Sequence, residues 1–251
     1  MDLGEVIAER KTKTVYKING TTVKLFVENY SKANILNEAL NQARVEEGTD
    51  LSIPKLISVT KIENRWALIS EHIEGTPLNK LMEEHPERMD EYLNLFVEIQ
   101  LEVLSKRVPL LTPIKDKFRR KLTEATNIDD NIRYELLQRL EGMKNHTKLC
   151  HGDFNPSNII IKEDGSYGII DWAHVTQGNA SADSARTYLL FSMQGQNELA
   201  EKYLDLFSEK SGIPKSNVQR WIPIVAATQM IKGKEDEQEF LKKWIDVIDF
   251  Q

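Results

Sequence analysis

Residues 21–27, TTVKLFV, alternate so that Val23, Leu25 and Val27 share one face and Thr22, Lys24 and Phe26 the other. This predicts a strand, and Asn19-Gly20 predicts a tight turn linking it to a strand over 14–18. Residues 3–8 read as a strand before these. From 33 to 46 the period lengthens to about 3.6. There Ile35, Ala39 and Ala43, with Leu36 and Leu40, form the apolar stripe of a helix that Ser31 can cap, and Glu38 lies beside that stripe. Two more strands, 55–60 and 66–72, flank a polar turn at Glu63-Asn64-Arg65. The breaker Glu74-Gly75-Thr76-Pro77 then separates this region from helical patterns over 78–84, 86–107, 113–125 and 129–143. Tyr92, Phe96, Ile99 and Val103 fall on one helical seam and read as core. Helical patterns resume over 182–193, 197–211, 214–231 and 235–247. The punctuation places a boundary near residue 75, giving an N-terminal part, 1–75, and a C-terminal part, 76–251.

Between the helical blocks lies the stretch 149–172, LCHGDFNPSNIIIKEDGSYGIIDW. Two branched apolar runs flank Glu163-Asp164-Gly165-Ser166, the signature of a β-hairpin. A symmetric four-residue loop pairs Lys162 with Tyr167, Ile160 with Ile169 and Asn158 with Asp171. Opposed residues share a face with Cβ atoms about 5 Å apart. An amide oxygen and a carboxylate at the open end suit Mg²⁺, which favours hard oxygen ligands and shares its shell with substrate phosphates.

Composition narrows the field. The 251 residues carry 40% hydrophobic and 29% charged side chains, as an ordinary globular protein does, and a net charge of −6. That balance argues against a nucleic-acid binder, which would show a basic field. The single cysteine, Cys150, precludes an internal disulfide and fits a reducing compartment. Beside His151 it reads as a buried structural thiol, because neighbours on a strand face opposite ways. The first residues lack the apolar core of a signal peptide, and no run reaches transmembrane length. The expectation is a cytoplasmic protein with no membrane partner; the sequence leaves the oligomeric state open.

His151, Asp153 and Asn158 stand in the pattern H-x-D-x-x-x-x-N, with Asp171 thirteen residues after the asparagine. His151-Gly152-Asp153 with Ile170-Asp171-Trp172 resembles the aminoglycoside phosphotransferase and choline kinase superfamily of small-molecule kinases. The resemblance implies an α+β, two-lobed protein-kinase-like fold, with a small antiparallel-sheet N-lobe, a largely helical C-lobe and the nucleotide in the cleft. It also implies transfer of the γ-phosphate of ATP, with GTP left open, to a hydroxyl of an aminoglycoside, amino-sugar, choline-like or other small alcohol. Asp153 would orient the hydroxyl and take its proton. Asn158 and Asp171 would hold Mg²⁺. Lys24 would bind the α- and β-phosphates with Glu38 as its helix partner. The backbone at Glu71 and Ile73 would meet the adenine edge. His151 and Asp183 would support the catalytic loop.

Two departures stand out. The phosphate-covering segment 8–14, AERKTKT, has no glycine, so phosphate contact would fall to Lys11, Lys13 or the threonines. Gly178-Asn179-Ala180 replaces the Gly-Asp-Pro of many relatives, implying a local loop change. The rival readings are a protein Ser/Thr kinase and a nucleotide-binding regulator without turnover. Against the first, Gly152 replaces the arginine of H-R-D, Trp172-Ala173 replaces Phe-Gly, and no Ala-Pro-Glu follows. Against the second, a non-catalytic binder has little need of Asp153. For the acceptor, Glu235-Asp236-Glu237, Trp172 and Trp221 are candidates to meet a cationic sugar, with solvated loop and core as the plainer readings of the acidic run and of Trp221.

Overall fold

The computed structural model describes residues 4–231 and 235–245, with the side chains of Glu235 and Asp236 excepted. The predicted start of the first strand at Leu3, the end of the last helix and residues 232–234 of the charged run lie outside the described residues. The fold class is α+β, with an antiparallel five-stranded sheet early in the chain and helices later. By contacts the chain forms two compact units: one runs to Pro86 and takes in Pro156–His174, and the other comprises Glu87–Asn155 and the described chain from Val175 on.

In the first unit, β1 (Glu5–Arg10), β2 (Lys13–Ile18), β3 (Thr21–Phe26), β4 (Leu56–Ile62) and β5 (Arg65–Glu71) lie in the order β1-β2-β3-β5-β4. The turns follow local chemistry. Asn19 and Gly20 both take positive φ, as do Glu63 and Asn64, so each makes a two-residue hairpin turn whose twist matches its strands. Both faces of the sheet are apolar. Val23, Leu25 and Ala67 pack on one, and Phe26 and Leu68 pack on the other with Ile35 and Ala39 of α1 (Lys32–Gly48). Lys24 shares that second face with Phe26.

Helix α1 begins where Ser31 Oγ accepts the Asn34 N–H, but its buried face differs from the predicted stripe. Ile35, Glu38, Ala39, Gln42 and Val45 are buried, whereas Leu36 and Leu40 are about half exposed. Polar partners decide the rotation: Gln42 donates to the Pro54 carbonyl and Glu38 accepts from Lys24, so burial of these groups is offset by bonds that leucines could not make.

The hairpin strands Ile159–Ile161 and Tyr167–Ile169 also depart from expectation. They pair Ile159 with Ile169, Ile160 with Gly168 and Ile161 with Tyr167, one residue out of the predicted register. The cause is Gly165, whose φ of 81° closes a three-residue loop with Lys162 N–H donating to the Ser166 carbonyl. Asn158 is therefore not opposite Asp171; the Ile170 N–H donates to its carbonyl. Pairing ends there, because Asp171 takes a φ of 64° and leaves the strand. Thr76–Pro77, read from sequence as a breaker, adds a third short strand along Ile160–Ile161. Helix α2 (Leu78–Glu84) follows it.

In the second unit, α3 (Met89–Ser105) buries Tyr92, Phe96, Ile99 and Val103. Phe96 sits among the rings of Phe154, Phe191 and Tyr203. Helices α4 (Ile114–Glu124), α5 (Asp130–Gly142), α6 (Ala180–Met193) and α7 (Asn197–Ser211) follow the predicted pattern. The helix expected over 214–231 is broken into α8 (Lys215–Gln219) and α9 (Ile222–Met230). Pro223 causes the break, since it has no N–H for the preceding turn and is tolerated at the start of a new helix. Helix α10 (Glu235–Ile245) closes the described chain. Lys148–Cys150 and Thr176–Gly178 form a two-stranded ribbon that brackets residues 151–175. Among the described residues no helix is long and apolar enough to cross a membrane.

Candidate functional site

The first unit brings together Lys24, Glu38 and Asp171. Lys24 extends from β3 toward α1, and its Nζ donates to Glu38 Oε1 at 2.8 Å and to Asp171 Oδ1 at 2.9 Å. Glu38 reaches it from the buried face of α1, one turn after Ile35. Asp171 reaches it because its left-handed backbone turns the chain out of the hairpin. Burial alone would push the Lys24 ammonium down; the Asp171 and Glu38 charges outweigh it and hold Lys24 above the ordinary lysine range. Burial alone would likewise raise Asp171. The Lys24 and Lys13 charges, the Lys24 hydrogen bond and His174 outweigh burial and hold that carboxyl well below the usual range. Asp171 therefore stays ionised.

Lys13, at the start of β2, is a further member that the spacing argument left among several candidates. Its Nζ lies 3.6 Å from Asp171 Oδ1 and 3.8 Å from Glu38 Oε1. The signal for it was the Asn19-Gly20 turn, which fixes a register that sets Lys13 directly opposite Phe26, on the Lys24 face.

Glu71 and Ile73 lie at and just beyond the end of β5. The Glu71 N–H donates to the Lys55 carbonyl and is thereby engaged within the protein. Ile73 packs over Gly168, where an added Cβ would fall 2.6 Å from Ile73 Cδ1. Asn158 is buried at the end of a single 3₁₀ turn, Pro156–Asn158, immediately before the hairpin. Its amide and the Asp171 carboxylate supply hard oxygen donors at the same end of that ribbon, a donor chemistry that fits a magnesium ion.

The second unit holds Asp153, His151 and Asp183. Gly152 has a φ of 79°, a conformation that favours glycine, and its N–H donates to Asp183 Oδ1 at 2.7 Å. Gln100 Nε2 approaches Asp183 Oδ2 at 3.5 Å. Burial raises the Asp183 carboxyl above its ordinary range, opposed by the Gly152 bond. His151 is fully buried, its ring edge-on to Phe154, and its Nδ1 lies 3.3 Å from the Asp153 N–H. Asn155 Nδ2 donates to the Asp153 carbonyl.

Sequence reasoning missed Arg186. Its guanidinium Nη2 donates to Asp153 Oδ1 at 3.1 Å, while Nη1 is buried and has no hydrogen-bond partner among the described residues. The available signal was its position three residues after Asp183, which puts both side chains on one face of α6. Asn179 caps that helix by accepting the Ser181 N–H, so the replacement of Gly-Asp-Pro leaves a well-formed helix start.

Three side chains weighed as acceptor contacts or nucleophile are otherwise engaged. Trp172 is fully buried with its indole N–H donating to the Ile169 carbonyl, and Trp221 is core against Phe118. Burial pushes the Cys150 thiol well above its ordinary range. Of the acidic run, the Glu235 and Asp236 side chains lie outside the described residues; Glu237 accepts from Gln229.

Comparisons with known proteins agree with this fold. The profile of the phosphotransferase enzyme family matches residues 23–215. A thermostable mutant of aminoglycoside phosphotransferase APH(4)-Ia, solved with ADP and hygromycin B, superposes with a TM-score of 0.72. That match has 14% identity over 97% of this chain and 92% of that one. A mutant aminoglycoside 2′-phosphotransferase-IIIa in complex with GDP gives 0.64 at 15% identity, over 96% and 89%. Aminoglycoside phosphotransferase APH(3″)-Id from Streptomyces rimosus gives 0.57 at 18% identity, over 89% and 92%. At such identities the likeness concerns the fold. No curated protein matches by sequence.

Proposed function

The chain belongs to the phosphotransferase enzyme family, and from that premise we propose that it moves the γ-phosphate of ATP to a hydroxyl of a small molecule. The observation that carries this reading is Lys24 Nζ bridging Glu38 and Asp171 at 2.8 and 2.9 Å. A lysine so held presents a fixed ammonium to the phosphates, and a carboxylate kept ionised beside it suits a metal-nucleotide complex. The structures solved with ADP and hygromycin B support a nucleotide and a hydroxyl-bearing acceptor of this kind; the GDP complex leaves the base open.

Each residue has a role in this reading. Glu71 and Ile73 meet the purine edge through their backbone. Lys24 binds α- and β-phosphate oxygens, with Glu38 fixing its position. Asn158 and Asp171 hold magnesium, which when bound supplies charge neutralisation to the phosphates. Asp153 orients the acceptor hydroxyl and takes its proton as the oxygen attacks the γ-phosphorus. The new P–O bond forms as the bond to the β-bridging oxygen breaks, and ADP departs. Arg186 and the Asp153 N–H to His151 contact fix the carboxylate and its backbone, and Asp183 holds the Gly152 peptide.

The acceptor is an alcohol; aminoglycosides, amino sugars and choline-like alcohols are the classes to assay. ADP release measured over such a panel, with Asp153→Asn as control, tests the reading. Loss of the general base is expected to lower turnover about 10²–10⁴-fold. Turnover that survives Asp153→Asn unchanged would remove Asp153 from the mechanism, and the absence of ADP release with every acceptor would favour a binder.

A further inference from the structure

The turn between β1 and β2 is the part of the nucleotide half-site that departs most from a phosphate-covering loop. Arg10 pairs directly with Lys13 in the ladder, so only Lys11 and Thr12 lie in the turn. The Thr12 carbonyl is tied down as well, accepting the Val27 N–H. A turn this short and this glycine-poor has no slack run of backbone N–H groups to close over phosphates.

Lys13, the first residue after this turn, directs its ammonium toward the carboxylates that hold Lys24. Its Nζ shares Glu38 Oε1 and Asp171 Oδ1 with Lys24, but from 3.8 and 3.6 Å, where Lys24 takes both at hydrogen-bonding distance. Lys13 is therefore held by charge, with no hydrogen bond to its ammonium among the described residues. Its side chain is only 15% exposed, and its Nζ lies 5.8 Å from the centroid of the Phe26 ring. An ammonium has three donors and a compact charge, and this one is placed and still able to accept partners. The two lysines balance the two carboxylates, so the four groups together carry no net negative charge to oppose a polyphosphate.

We propose that Lys13 is a second phosphate-binding cation of this site, taking with a side chain the phosphate oxygens that a glycine-rich turn would take with backbone N–H groups. This rests on the ATP reading above. It predicts that affinity depends on Lys13 in proportion to the number of phosphates.

Calorimetric titration of the full chain with ATP, ADP and AMP in the presence of magnesium tests it. Lys13→Met keeps the stem over Phe26 and removes the charge. It is expected to weaken ATP binding about 10- to 100-fold, the span of one charge-assisted hydrogen bond. ADP should lose less and AMP nothing, while Lys13→Arg recovers most of the ATP affinity. Lys61→Met, which removes the same charge from β4, should bind ATP as the unaltered chain does. Lys13→Gln repeats the test in case the methionine variant does not fold. ATP binding unchanged in Lys13→Met overturns the proposal, as does a lowered melting temperature with unchanged affinity, which marks a purely structural ion pair. An equal loss for all three nucleotides also overturns it. Failure of the unaltered chain to bind any of them overturns the ATP reading itself.

Discussion

Arg186 and Asp171 show how much a single side chain's surroundings decide. Arg186 touches the Asp153 carboxylate at 3.1 Å and acts through it. Arg186→Ala is expected to lower kcat about 10- to 100-fold, the cost of a misplaced reacting group, with little change in nucleotide affinity. Arg186→Lys keeps the charge without the planar fork and should recover only part of the rate. Equal losses in the two variants would mean that charge alone is irrelevant to Asp153. For Asp171 the sign of the pH effect follows from its lowered carboxyl. A carboxyl depressed in the fold stabilises it above the unfolded-state value, ordinarily 3.8, and that contribution fades as pH falls toward the folded value. The melting-temperature gap between the unaltered chain and Asp171→Asn should thus be widest near neutrality and close below about pH 4. A gap that widens on acidification would contradict the Lys24–Asp171 pairing.

The elements were legible in kind, and less so in orientation. Alternation and Asn-Gly chemistry placed β2 and β3 to within a residue, because both signals are local. Helix α1 was found, yet which way it faces depends on Gln42 reaching Pro54 and Glu38 reaching Lys24, contacts made by residues far apart in sequence. A hydrophobic stripe cannot register such bonds. The hairpin register failed for a different reason: a symmetric loop ignored the left-handed Gly165, and one residue of slip changes every cross-strand partner. The residue types at the site were readable as a set, while Arg186 and the placement of Lys13 required register and helix phase to be combined. The orientation of α1 is open to direct test. Ile35→Ala removes a fully buried side chain and should cost about 2–5 kcal/mol in urea unfolding, whereas Leu36→Ala should stay within about 0.5 kcal/mol. Comparable costs at the two positions would restore the predicted stripe, which buries both side chains.

At the scale of the whole molecule, the residues assigned to the nucleotide all belong to the first compact unit, and Asp153 with its supports belongs to the second. Lys13, Lys24, Glu38, Glu71, Ile73, Asn158 and Asp171 are held by the five-stranded sheet, α1 and the hairpin. Asp153, His151, Asp183 and Arg186 are held by the segment that follows Cys150 and by α6. Binding and proton transfer should then separate under mutation. Asp153→Asn leaves every nucleotide-assigned group in place, so its dissociation constant for ATP should match that of the unaltered chain while turnover collapses. Lys24→Met should do the opposite at the binding step. It removes the cation between Glu38 and Asp171, which both weakens ATP binding and leaves two partly buried carboxylates to the more distant Lys13 and, for Asp171, to the charge of His174. Its unfolding midpoint should fall along with its affinity, and bound ATP should recover little of that stability. Equilibrium titration and urea unfolding of the two variants, with and without ATP, decide the matter. A tenfold loss of ATP affinity in Asp153→Asn would show that Asp153 contributes to nucleotide binding itself, and the separation of roles drawn from the two units would fail.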